Sequence, residues 1–191
     1  LLGLLLSLSS LSLLAEEAKE PWGLMAPTIF ASQDSDHFSV TKVGTGLLPF
    51  YKSGQEYLGI QASSNRYSNP EWAKSGGQVS LVQRSINSAS GLGSLASLGV
   101  SSLYGRELLI ADVTYSAPIN QTLSYEAFLF RDWVETRNAL TNGISHNYYG
   151  ASLEKRFSPD WTLIGLVAQQ KFSDDNIRNH LRAKVIYDVL P

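Results

Sequence analysis

The chain has no cysteine among its 191 residues, which excludes a disulfide framework, a thiolate metal site and a cysteine nucleophile. Methionine occurs once, and the first residue is a leucine, so the native start is expected upstream of Leu1. Charge is also scarce. Asp, Glu, Lys and Arg make up 17% of the chain, against about 25% in an average soluble domain. The formal net charge is −2, so nothing in the bulk balance calls for nucleic acid. Beyond Ala15 there is no apolar run approaching the roughly 20 residues of a spanning helix. A secreted soluble protein or a β-barrel remains, because a closed barrel is the only other way to pair every backbone group in lipid.

What is present begins with LLGLLLSLSSLSLLA, apolar and rich in small residues from Leu1 to Ala15, then abruptly acidic at Glu16. This fits the apolar region of a secretory signal peptide cut near Ala15, with its charged leading region missing. A buried N-terminal helix is the other reading. Residues 16–23 are expected to form a short periplasmic lead-in, and 24–191 the folded domain.

From residue 24 onward the sequence is a series of alternating segments, each about ten residues long and separated by turn chemistry, as barrel strands are. In 107–116, Leu109, Ala111, Val113 and Tyr115 alternate with Ile110, Asp112, Thr114 and Ser116. In 182–189, Ala183, Val185 and Tyr187 alternate with Arg182, Lys184 and Asp188. In 147–157, Tyr149, Ala151 and Leu153 alternate with Gly150, Ser152, Glu154 and Arg156. A charge at mid-strand needs a wet or paired environment, which a polar lumen supplies. Ten strands are expected, near 24–33, 37–48, 56–66, 77–86, 94–104, 107–117, 122–133, 146–157, 160–172 and 179–189. The fold class is therefore all-β: an antiparallel up-and-down transmembrane β-barrel, expected to be incomplete because the chain stops on a proline, Pro191.

Connections and aromatics follow the same frame. Residues 117–120 and 158–160 read as tight turns, whereas 67–76, 136–145 and 173–179 read as longer polar loops. With the mature N-terminus in the periplasm, the long loops fall outside and the short turns inside, as in outer-membrane barrels; only the tight 104–106 connection departs from this. Trp22, Trp133, Trp161 and Tyr187 fall at strand ends, where an amphipathic ring suits the membrane interface.

The inward set read from the alternation is Asp112, Glu126, Asp132, Glu154, Arg156, Arg182, Lys184 and Asp188. These charges either pair across a lumen and plug it, or line a wet channel. No metal motif appears, and His37, His146 and His180 are scattered. His37 and Ser39 share a strand face two residues apart, the spacing of a base and nucleophile. Asp34, Asp36, Asp174 and Asp175 lie in expected external turns, as solvated acids or as ligands for cations that bridge lipopolysaccharide. The expected partners are outer-membrane lipids and lipopolysaccharide; no cofactor is expected.

Two stretches carry a family resemblance: Arg131-Asp132-Trp133-Val134-Glu135-Thr136-Arg137-Asn138-Ala139-Leu140-Thr141-Asn142-Gly143-Ile144, and Lys171-Phe172-Ser173-Asp174-Asp175-Asn176-Ile177-Arg178. Together they resemble the C-terminal barrel of exopolysaccharide exporters of the poly-N-acetylglucosamine porin type. There an Ala-Leu…Gly-Ile loop is followed by a Phe-Ser-Asp-Gly-Asn-x-Arg loop. This chain has Asp175 where that pattern has glycine, and no helical-repeat domain separates the leader from the first strand. The resemblance implies a passive conduit with a polysaccharide chain as cargo. Three alternatives stay open: an outer-membrane lipid hydrolase using His37 and Ser39, a closed structural or adhesion barrel displaying loops 68–76 and 134–145, and a secreted soluble β-sandwich or lipocalin-like barrel.

Overall fold

Successive side chains on a strand meet opposite surroundings, and the long runs of such alternation beyond residue 24 become strands. The structure, a computed structural model, describes residues 24–35, 37–53, 55–87 and 89–188. The leader, the lead-in and Trp22 lie outside the described residues. Ten strands follow in order: β1 (Leu24–Gln33), β2 (Ser39–Ser53), β3 (Glu56–Asn69), β4 (Trp72–Asn87), β5 (Leu92–Leu103), β6 (Arg106–Asn120), β7 (Leu123–Trp133), β8 (Ser145–Arg156), β9 (Trp161–Phe172) and β10 (Ile177–Tyr187). One short helix, α1 (Arg137–Asn142), interrupts them between β7 and β8. Every strand pairs antiparallel with its sequence neighbours, giving one meander in the order β1 to β10. The fold is thus an all-β, ten-stranded, antiparallel up-and-down sheet.

The sheet is open and does not close into a barrel: among the described residues β1 pairs only with β2, and β10 only with β9. Side chains on their outward face are bare, with Ile29 73% and Leu181 85% exposed.

Several expected connections are shorter than their composition suggests. Residues 67–76 are not a loop. β3 and β4 stay paired up to Asn69 opposite Trp72, leaving Pro70 and Glu71 as the turn. Ser75, Gly76 and Gly77 look like loop chemistry, but Gly76 is a strand residue under close approach. A Cβ there would stand 2.6 Å from the Ser102 carbonyl oxygen. Residues 117–120 belong to β6, and the turn falls at 121–122; Pro118 is tolerated in the strand because the register slips between Pro118 and Asn120, a bulge that needs no proline N–H. β2 runs on to Ser53 through slips around Pro49 and Lys52. The last hairpin turns over 173–176 rather than 173–179.

Residues directly opposite on paired strands share a face, so register assigns the faces. One face carries Val40, Tyr67, Ser80, Ser101, Leu108 and Ile110, all buried. The other carries Met25, Ile29, Val43, Leu47, Leu58, Ile60, Val79, Leu81, Leu98, Leu109, Leu153, Val167, Leu181 and Val185, all exposed. The buried face is the inside of a curl. Strands lie about 4.8 Å apart, so β2 and β7 in a flat sheet would be on the order of 24 Å apart. Yet Lys42 of β2 meets Glu135, two residues beyond β7, at 2.5 Å.

Candidate functional site

The inner face holds two kinds of feature: a charged wall and a strap that crosses it at one end. The wall follows from register. Asp112 stands opposite Ser97 and Phe130, and Glu126 opposite Ser116 and Ser152. Glu154 stands opposite Ser124 and Ile164, and Asp132 opposite His146. On β9 and β10, Thr162 receives Arg156, while Leu166 and Ile164 stand opposite Arg182 and Lys184. All seven therefore share one face of the sheet, the inside of the curl. Asp188 follows β10, with its N–H bonded to the Asp160 carbonyl at 2.9 Å.

The set gathers in two hollows. A cleft of about 280 Å³ brings Asp112 and Asp132 together with Tyr57, Gln61, Gln78, Gln83 and Phe130. A second, of about 440 Å³, brings together Glu126, Glu154, Arg182 and Lys184. Arg156 and Asp188 line neither. Among the described residues no member of the set is ion-paired with another; the three ion pairs are Lys42–Glu135, Lys52–Glu56 and Arg137–Glu71. The first hollow is thus acidic, while the second gathers two acids and two bases. Rings interleave with them. Phe130 lies 5.5 Å from His146, His146 5.9 Å from Phe172, and Phe128 5.2 Å from Tyr148.

The strap is the part that sequence reading missed. Residues 134–144, expected as an exposed polar loop, fold back over the inner face. Thr136 caps α1, its Oγ1 accepting the Ala139 N–H at 3.4 Å. Gly143 ends it in the left-handed region at φ 69°, a geometry that glycine takes without a Cβ clash. Between these caps Leu140 is 1% exposed, packed in a cluster with Phe38, Val40, Tyr67, Leu103, Leu108, Ile110 and Trp133. Glu135 accepts from Lys42 and, at 3.1 Å, from the Tyr67 hydroxyl. Arg137 reaches Glu71 in the β3–β4 turn at 3.5 Å. One loop thus ties β7 and β8 to β2, β3 and β4. The available signal was the Thr136…Gly143 capping pair around Ala139 and Leu140, a helix start and stop.

Trp133 is corrected by the same packing. It was expected at the membrane interface, but it is only 6% exposed, and its indole N–H donates to Ser101 Oγ at 3.2 Å. The β6–β7 ladder ends at Ala111 opposite Arg131, so the last residues of β7 are free to turn the ring inward. Trp72 joins the same collar, 6.3 Å from Phe38 and 5.9 Å from Tyr104. Burial raises the phenol pKa of Tyr104, in the β5–β6 turn, above its ordinary value. Trp161 and Tyr187 are exposed on the outer face at strand ends, their rings 4.6 Å apart.

His37 sits in the β1–β2 turn with φ 58°, its N–H bonded to the Asp34 carbonyl at 3.2 Å. Asp175, standing where the resembling pattern has glycine, has φ 67°. The turn keeps the glycine-favouring conformation, which aspartate is among the few residues to adopt readily. Among the described residues no three metal-ligating side chains form a group, and no helix is long and apolar enough to cross a membrane.

The fold places the chain in the class of all-β antiparallel meanders. Compared with known proteins, it matches no family model, no curated sequence and no solved structure significantly.

Proposed function

We propose that this sheet is wall of an outer-membrane β-barrel conduit, with its outer face in lipid and its inner face along a water-filled path. The observation that carries the reading is the contrast between the faces. Outward positions through the middle of the strands are apolar and exposed, while inward positions carry acids, bases and amides, and among the described residues no two charges of the wall form an ion pair with each other. A soluble protein rarely bares so large an apolar surface, and a packed soluble core does not take unpaired charges. Dimensions agree: the 11 residues of β10 span roughly 36 Å, enough when tilted to cross an apolar band about 25 Å tall. In lipid every edge N–H and C=O must be paired, so the reading requires strand partners for β1 and β10 in the membrane.

The strap narrows the path at the end where the longest connection lies, which the sequence frame puts outside the cell. A polysaccharide chain is the proposed cargo, supported by the two resembling loops and by an inner wall of rings, amides and carboxylates. The rival specifically favoured by an observation is a plugged structural barrel, because the strap is held by a buried cluster. Hydrolysis by His37 and Ser39 has no support beyond their spacing.

Fractionation and conductance test the proposal. The protein is expected with outer membranes, extractable only by detergent, and the full-length product in planar bilayers should pass ions. Recovery as a detergent-free monomer with native β signal would sink the membrane reading; insertion without conductance or glycan flux would leave the plugged barrel.

A further inference from the structure

The outer face is apolar through mid-strand, but near the strap end of β7 to β9 it becomes a patch of hydrogen-bond donors. Arg131 and Lys171 stand on either side of Asn147 in the register, so their backbones are about 10 Å apart. Arg131 Nε donates to the Leu109 carbonyl at 2.9 Å and its Nη1 to Asn147 Oδ1 at 3.0 Å. These bonds hold the guanidinium flat over the seam where the β6–β7 ladder stops. They also tie Arg131 to Asn147, which stands opposite Lys171 in the register. The next rank toward mid-strand is polar but neutral: Tyr149 donates to Gln169, and Gln169 to Asn179. Beyond it come Ala151, Val167 and Leu181, all exposed. Among the described residues neither Arg131 nor Lys171 has an ion-pair partner, although Glu107, Asp174 and Asp175 lie farther toward the strand ends.

We infer that Arg131, Lys171 and Asn147 form a docking site for the phosphate headgroup of an anionic membrane glycolipid, whose acyl chains lie on the apolar face below. This rests on the membrane reading above and adds a partner to its outer face. Two cations without an ion-pair partner among the described residues, on either side of an amide, select an anion. Their position at the polar boundary of an apolar wall selects an anion attached to hydrocarbon rather than a free one.

The test uses the full chain in nonionic detergent, titrated with bis-phosphorylated lipid A, with the dephosphorylated glycolipid and with inorganic phosphate. Binding is read by native mass spectrometry. Lys171→Gln is expected to weaken lipid A binding about tenfold, with Lys184→Gln on the inner face leaving it unchanged. Inorganic phosphate should not compete, and the dephosphorylated lipid should bind no better to the native chain than to Lys171→Gln. Arg131→Gln should act in the same direction, but it also frees the Leu109 carbonyl, so Lys171→Gln decides. Equal binding of lipid A by the native chain and Lys171→Gln overturns the inference. Full competition by inorganic phosphate overturns the lipid as occupant. If the protein inserts into membranes and binding is nonetheless indifferent to Lys171, this site alone fails; if it never inserts, the membrane reading fails first.

Discussion

Leu140→Ala isolates what holds the strap down. The side chain is essentially fully buried among residues from β2, β3, β5, β6 and β7. Truncating a buried leucine to alanine costs about 2–5 kcal/mol, depending on how far the cavity collapses. The strap's other holdfasts are weaker. Lys42–Glu135 is about a third exposed, and such a pair is worth on the order of 1 kcal/mol or less. The Tyr67 hydroxyl bond is worth about 1 kcal/mol, and the exposed Arg137–Glu71 contact adds little. Leu140 therefore supplies the largest share of the closing energy. A loss of about 2 kcal/mol would raise the open fraction roughly 30-fold. Amide exchange in detergent reads this directly, because Leu140, Gly143 and Ile144 donate their N–H groups within the strap. Their exchange should accelerate by about that factor while the strands stay protected. Native-like exchange at these amides in Leu140→Ala would refute the anchoring argument. Equal loss of protection across β2 to β8 would show that the cluster supports the whole sheet rather than a separable strap.

Two further outcomes follow from facing and backbone geometry. Val185→Arg puts a charge on the outer face and should cost roughly 2–4 kcal/mol in bilayer unfolding, while its neighbour Lys184→Gln changes ion selectivity far more than stability. The reverse pattern in urea titrations would show the faces to be inverted. Gly143→Ala forces a Cβ into the left-handed region, at about 1–2 kcal/mol, and into the Arg106 guanidinium, whose Nη1 lies 1.7 Å from where that Cβ would sit. Faster proteolysis at Arg137 in this variant, with unchanged strand content by circular dichroism, is the expected result; unaltered cleavage would mean that the cap is dispensable.

The sequence alone determined the strands and their facing. A two-residue period is a local property, so Leu109 against Asp112, or Val185 against Lys184, separates onto opposite faces wherever the strand is placed. Turn chemistry then limits each strand to hairpin pairing with its sequence neighbours, and the meander follows. Composition misled where a residue's role depends on a distant chain. Gly76 reads as loop until β5 is seen crowding it, and Pro118 reads as a turn until the slip in the β6–β7 register excuses its missing N–H. Tertiary structure alone decided the rest. Trp133 turns inward because the β6–β7 ladder ends at Ala111 and Ser101 waits opposite. Residues 134–144 become a strap because curling brings Lys42 and Tyr67 within reach of Glu135. Both depend on the curvature of the whole sheet, set by pairings far apart in the chain, which no local pattern encodes.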